Sequence, residues 1–326
     1  MVSKVITLKE VLELIKSYDK IFLFFHELPD CDALGSCWGL KNFISKLYPS
    51  KTVKIAGEES LTDEQRKGFF ASQSSLEVSS YKDENIFKEA LGIVLDCNNE
   101  KRVFTGAQQF CKETIKIDHH PDIEDFTTYK YVDDKSAAAT QIIGKMIKEN
   151  YPDKIEDNIA KFLYLGILTD TNRFYYPSTS QETFDIGSWL YTNIKNKQEI
   201  YEAIYYNSVD HLKIQNKLFR YIRWDKANKF AFLIIPKNFE RKYHLPIQGG
   251  FVYLMREIKG IDICCSTYFD KELNSWKCSI RSTTKPINEI AKKYGGGGHP
   301  LASGCKVSNL KQFKLLCDDL KSLNKS

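Results

Sequence analysis

None of the nine cysteines pairs into a Cys-x-x-Cys arrangement. Their scatter fits neither a zinc ribbon nor a small disulfide scaffold, so the expectation is a reduced, cytoplasmic protein. Long apolar runs are also missing. Nothing approaches the roughly 20 residues of a membrane span, and the opening residues lead into an amphipathic helix rather than a signal peptide. Neither sign of charge dominates: 47 basic against 42 acidic residues leave a net +5. That mild excess permits anionic substrates without demanding a nucleic-acid groove. Arginine is scarce, eight of the 47 basic residues, so each one near a motif is informative; Arg102, Arg173 and Arg281 are such cases. No internal repeat is found, and the glycine run from Gly295 to Gly298 is the only low-complexity stretch.

What remains is a chain of 326 residues with 42% hydrophobic and 27% charged content, the profile of a globular protein long enough for two domains. Short apolar runs alternate with helical periodicity. Helices are expected over 8–18, 33–47, 62–70, 136–150, 155–168, 181–194 and 198–206, and strands over 21–25, 52–56, 91–96 and 114–118. Such alternation predicts an α/β fold with a parallel sheet, whose reactive groups gather beyond the carboxyl ends of the strands. We expect a parallel-sheet domain over 1–190 and a helical linker over 191–223. A smaller C-terminal α/β domain should fill 224–326, with strands at 230–235, 261–268 and 276–281 and helices after Gly250, over 286–294 and over 309–323.

The stretch Ile21 to Ser36 organises the rest. A bulky apolar run ends and His26, Asp30 and Asp32 follow, with Pro29 and Gly35 predicting an irregular loop around them. Two later runs end alike, at Asp96 and at Asp118-His119-His120, and a helix delivers Asp170. Any one of these has an ordinary explanation. Asp32, for instance, could cap a helix beginning near Ala33. Eight converging at strand ends points to metal, and carboxylates with a few imidazoles and no thiolates suit Mn²⁺, or Mg²⁺, better than a structural zinc. A pair of ions bridged by one carboxylate is the usual clamp for breaking phosphate esters, and Asp96 is the candidate bridge.

His26-x-x-Pro-Asp30-x-Asp32-Ala-Leu-Gly-Ser36, the isolated Asp96, Asp118-His119-His120 and Gly166-Ile-Leu-Thr-Asp170 resemble, in order, the four motifs of the DHH phosphoesterases. Gly296-Gly-Gly-His299-x-x-Ala302-Ser303-Gly304 resembles the hallmark of the DHH-associated C-terminal domain, so the resemblance spans nearly the whole chain. Asp170-Thr-Asn-Arg-Phe174 with Pro177-Ser-Thr draws it towards stand-alone oligoribonucleases that are also phosphoadenosine-phosphate phosphatases. The resemblance implies one ion on His26, Asp30 and Asp96, and another on Asp32, Asp96, His119 and Asp170. Asp118 would orient His119, and His120 would face the substrate and protonate the leaving oxygen. Two positions depart from the family pattern, Cys31 and Asn172, where glycine is usual; neither removes a ligand.

The glycine run could be a mere connector. Read functionally, its backbone amides form an anion-binding nest made of Gly297 and Gly298, with Arg281, Ser282, His299 and Ser303 supplying further donors. Arg102 and Arg173 each follow a metal-bearing loop and would pin phosphates, although surface arginines more often pair with acids. His211 and His244 have no assignable role, and aromatics at 13% offer stacking platforms without marking which. The resemblance implies a two-metal hydrolase acting on short single-stranded RNA, linear dinucleotides and 3′-phosphoadenosine 5′-phosphate; no membrane partner is expected, and a homodimer is possible. A cyclic-dinucleotide phosphodiesterase and a non-catalytic nucleotide-binding regulator are the alternatives. A manganese pyrophosphatase would lack the glycine-rich signature.

Overall fold

A computed structural model describes residues 2–27, 29–56, 84–243, 249–256, 258–271 and 273–324. The helix expected at 62–70, and His244, lie outside these residues. The chain divides into two compact units, 1–206 and 207–326.

The first unit is built on a six-stranded sheet: β1 (Lys4–Val5), β2 (Lys20–Phe24), β3 (Thr52–Ile55), β4 (Leu91–Leu95), β5 (Glu113–Asp118) and β6 (Tyr129–Val132). Its order is β1-β6-β5-β4-β2-β3, and every pairing is parallel. Neighbouring strands end together at β2, β4 and β5, which places His26, Asp96 and Asp118 along one edge of the sheet. The short strands β1 and β6, at one side of the sheet, are not among the expected ones. At two and four residues they are too short to show a period.

Helices α1 (Leu8–Ser17), α2 (Cys31–Leu47), α3 (Ala139–Asn150), α4 (Asp157–Asp170), α5 (Gln181–Thr192) and α6 (Lys197–Tyr205) complete this unit. Thr7 and Glu10 form a capping box on α1, whose Leu8, Val11, Leu12 and Ile15 are buried. The loop expected around Asp30 and Asp32 is helix instead. Asp30 is its N-cap, accepting from the Asp32 and Ala33 amides at 3.0 Å each, and Gly35 sits inside α2. A Cβ on Gly35 would stand 2.6 Å from the Phe162 carbonyl oxygen. The glycine therefore lets α2 press against α4; it does not make a turn.

The second unit holds α7 (Val209–Phe219), β7 (Ile222–Asp225), β8 (Phe230–Ile234), α8 (Phe239–Tyr243), β9 (Ile263–Asp270), β10 (Ser275–Ser282), α9 (Asn288–Lys293), β11 (Gly297–His299), β12 (Ala302–Val307) and α10 (Leu310–Ser322). Its sheet runs β11-β12-β10-β9-β8-β7, and only β8 and β9 are parallel. Phe230, Ile263, Ile280, Phe313 and Leu316 fill the space beneath α10. Three expectations change. The helical linker expected to run to Arg223 ends its last helix at Phe219 and gives way to β7. The helix expected after Gly250 is a 3₁₀ turn kinked by positive φ at Gly250 and Phe251. The glycine run is a β-hairpin arm, not an open nest, with Gly297, Gly298 and His299 paired to Gly304, Ser303 and Ala302.

Candidate metal centre

His26 follows β2 and is tied by an isolated bridge to Val103. Its Nδ1 is 2.8 Å from the Glu27 carbonyl oxygen, which can only accept. Nδ1 therefore donates there, and Nε2 is left to face Asp96 Oδ2 at 3.5 Å. Asp96 itself ends β4 with φ at +55°, a left-handed conformation that aspartate tolerates better than most residues. That kink turns its carboxylate inward. Asp96 Oδ1 lies 3.3 Å from both His119 Nε2 and His120 Nδ1, close enough for attraction but not aligned as a hydrogen bond.

Asp32 is fully buried and receives Ala139 N at 2.7 Å, Thr140 N at 2.9 Å and the Thr140 hydroxyl. It caps α3, whose own N-cap, Ala138, has no side chain to do so. The small residues at the start of that helix, Ala138 and Ala139, leave room for this carboxylate to approach. Asp170, the last residue of α4, brings Oδ2 to 3.4 Å from His119 Nε2, which is 3.8 Å from Asp32 Oδ2. Asp118 Oδ1 accepts from the His120 backbone and from His120 Nδ1 at 2.8 Å. The partner it orients is thus His120, where His119 had been expected.

Two donor groups result, His26/Asp30/Asp96 and Asp32/His119/Asp170, each with its ligand atoms within 4.8 Å of one another, and Asp96 Oδ1 faces the second from the first. Electrostatics mark the same place. Burial and the charge of Asp96 push Asp32 up to about 7. Burial and Asp32 raise Asp170 well above the carboxylate range. Burial would raise Asp96 too, but His119, His120 and His26 outweigh it and hold that carboxyl well down. Burial disfavours the imidazolium of His119 and His120, yet the nearby carboxylate of Asp96, with the charges of Asp170 and Asp32, lifts the first to about 10, and Asp118 with Asp96 lifts the second to about 11. Carboxylates this crowded hold protons on neighbouring imidazoles as counter-charge, a place that cations would fill. Buried Asp96 Oδ1 and Asp118 Oδ2 with no hydrogen-bond partner among the described residues fit the same chemistry.

Arg102 joins this cluster, its Nη2 3.5 Å from His26 Nδ1 and its carbonyl oxygen bonded to the Glu27 amide. Arg173 follows Asp170 within a left-handed turn of Asn172, Arg173 and Phe174, with its guanidinium over Tyr205 and bonded to Asn172 Oδ1. Three consecutive non-glycine residues in that region store strain of about 1–3 kcal/mol each, as functional segments often do. Cys31 is fully buried in the first turn of α2.

In the second unit Arg281 is paired with Ala302 across β10 and β12, while Ser282 Oγ accepts from Lys285 N. Ser303 Oγ donates to the His299 carbonyl oxygen at 2.8 Å, so part of its function is to close the hairpin. A Cβ on Gly298, at φ +130°, would stand 2.6 Å from the Ala302 oxygen.

The model of the DHH family, N-terminal domain, matches residues 20–167, and that of the DHHA1 domain matches 230–326. A protein of Streptococcus mutans named probable bifunctional oligoribonuclease and PAP phosphatase NrnA is 33% identical over 97% of this chain and 99% of its own. The uncharacterized protein MG371 of Mycoplasma genitalium is 32% identical over 95% and 93%. A crystal structure of an exopolyphosphatase-related protein from Bacteroides fragilis superposes with a TM-score of 0.86 at 26% identity, covering 98% of this chain and 97% of that one.

Proposed function

The chain belongs to the DHH family, with a DHHA1 domain at its C-terminal end, and from that premise we propose a phosphoesterase that uses two divalent cations to hydrolyse short RNA oligonucleotides, linear dinucleotides and 3′-phosphoadenosine 5′-phosphate. The observation that carries the reading is the pair of donor groups sharing Asp96. The substrate class is supported by the oligoribonuclease and PAP phosphatase named above, alike over almost its full length.

We assign His26, Asp30 and Asp96 to one cation and Asp32, Asp96, His119 and Asp170 to the other. Mixed imidazole and carboxylate donors favour Mn²⁺ over Mg²⁺. The ions would supply a water of lowered pKa and neutralise charge growing on the phosphoryl oxygens. The protein's own share is positional. Asp96, turned inward by its left-handed backbone, addresses both groups at once. Asp32 is locked by the α3 amides, so its orientation does not depend on the ions. His120, its Nδ1–H held by Asp118, is left with Nε2 for a proton transfer to the leaving oxygen. Arg102 and Arg173 are assigned to phosphate, and Arg281, Ser282, Gly297, Gly298, His299 and Ser303 to the remainder of the substrate. We assign the catalytic work to the first unit, 1–206, and the grip on the rest of the substrate to the second, 207–326, so residues of the linker expected over 191–223 belong to one unit or the other. No helix among the described residues is long and apolar enough to cross a membrane.

Release of mononucleotides from a labelled dinucleotide with Mn²⁺, run beside phosphoadenosine phosphate and a cyclic dinucleotide, tests the proposal. Turnover of the linear substrates is expected. Nucleotide binding without turnover of any of the three would overturn it in favour of a regulator, and preference for the cyclic substrate would overturn the substrate class.

A further inference from the structure

Lys116 is the only lysine among the described residues that is fully buried, and the reaction above makes no use of it. It stands on β5 two residues before Asp118, on the same face of the strand. Its Nζ donates to Asp122 Oδ1 at 2.7 Å and to the Glu124 carbonyl oxygen at 2.8 Å, and lies 5.3 Å over the Phe126 ring. An ammonium taken out of water is strongly unfavourable unless it is paired. The segment after His120 therefore has to fold back over the strand to bring acceptors to it.

That segment is also held from outside, where Lys130 of β6 donates to Asp122 Oδ2 and to Asp125 Oδ1 at 2.6 Å each. It reaches sideways as well. Asn98 Nδ2 donates to the Pro121 carbonyl oxygen at 3.2 Å, and the Glu100 amide to Glu124 Oε2 at 3.0 Å. The stretch after Asp96 and the stretch after His120 are thus tied to one another, and the tie closes on Lys116.

We propose that Lys116 is a positioning residue for the metal centre: by anchoring Asp122 and Glu124 it fixes the register between the His119-His120 turn and the Asp96 loop. The inference rests on the two-metal reading, and it assigns the buried ammonium a role beyond stability. Polar partners behind metal ligands characteristically matter about 10–100-fold in metal affinity or activity.

The test uses the full chain with Lys116→Met. Asp122 keeps Lys130 in that variant, so no buried charge is stranded and the fold should survive. Mn²⁺ affinity by calorimetry is expected to fall about 10-fold or more, and kcat on a dinucleotide by a similar factor, while KM stays within about twofold. A lower melting temperature with Mn²⁺ affinity and kcat unchanged would overturn the proposal and leave Lys116 a purely structural residue. If Lys116→Met does not fold, Lys130→Met loosens the same segment from its exposed side and should reduce Mn²⁺ affinity about threefold; no reduction there overturns the proposal equally. Failure of the wild-type chain to hydrolyse any linear substrate sinks the phosphoesterase reading instead, and the Mn²⁺ affinities still decide the role of Lys116.

Discussion

The two sheets solve the problem of displaying polar groups in opposite ways. In the first unit all strands run parallel, and chemistry arrives from four segments of sequence at one sheet edge, where Asp32, Asp96 and Asp118 lie at 0–2% exposure. In the second, antiparallel neighbours β10, β11 and β12 present a single continuous stretch, Gly297 to Ser303, with Arg281 beside it, and His299 stays half exposed. A site assembled by topology can be buried and electrostatically extreme; a site written into one hairpin is shallow and depends on backbone geometry. The first should therefore fail by losing a charge and the second by gaining a carbon.

The sharpest way to break that contrast is Asp96→Asn. Asparagine keeps the volume and tolerates the left-handed backbone at +55°, so the unit should fold, yet the charge facing both donor groups is gone. Turnover should drop by about 10³-fold or more in a dinucleotide assay, of the order seen when a centre of transition-state charge stabilisation is removed. Activity within tenfold of wild type would end the assignment of Asp96 as the shared ligand. Gly298→Ala is the corresponding move in the second unit. A Cβ meets the Ala302 oxygen at 2.6 Å and the backbone sits at φ +130°, so strain of about 2 kcal/mol is expected, about thirtyfold if it falls on binding. KM should rise while Mn²⁺ titration of the first unit is unmoved. A matching loss of metal affinity would show that the two regions are not separable.

How much of this could be read beforehand follows the same division. Asp96 and Asp118 were visible because each ends a short apolar run, and β4 and β5 do end there. Asp32 was visible as a candidate ligand but not as the cap of α3, because that contact joins residues 107 positions apart. Gly35 was misread because a glycine that serves helix packing and one that makes a turn look alike until the Phe162 carbonyl opposite is known. The glycine run hid a strand because residues without side chains show no alternation. Lys116, within Thr-Ile-Lys-Ile-Asp, alternates like a solvent-facing position; only the returning segment 120–126 buries it. Contacts local in sequence were legible, and long-range ones only where several pointed to one place.

A smaller effect separates grip from chemistry in the hairpin. His299→Ala should raise KM about tenfold, the scale of one hydrogen bond to a charged group, and lower kcat less. The Ser303 bond to the 299 backbone carbonyl is retained in that variant, so the hairpin itself should close. A loss confined to kcat would move His299 from holding the substrate to reacting with it, and would make the second region catalytic rather than a grip.

The smallest effect is the most diagnostic of the buried edge, because it needs no substrate. In the metal-free protein His119 is raised from 6.5 to about 10, so its contribution to stability is fully present below pH 6.5 and lost as pH climbs through 10. Asp32, raised from 3.8 to about 7, works in the same direction: its preference for the folded state is complete below 3.8 and gone above 7. Asp96, held below 3.8, has the opposite sign, but its loss is confined to more acid solution. Between pH 7 and 10 the metal-free first unit should therefore melt at progressively lower temperature, by a few degrees for each kcal/mol lost. Manganese must displace the imidazole protons to bind, so its affinity should rise over the same interval with protons released, and saturation should flatten the melting curve's dependence on pH. Calorimetry in buffers of different ionisation heat reads the released protons directly. If none are released near neutral pH, the imidazoles are already neutral there, and the first region is not the charge-crowded site that sets it apart from the second.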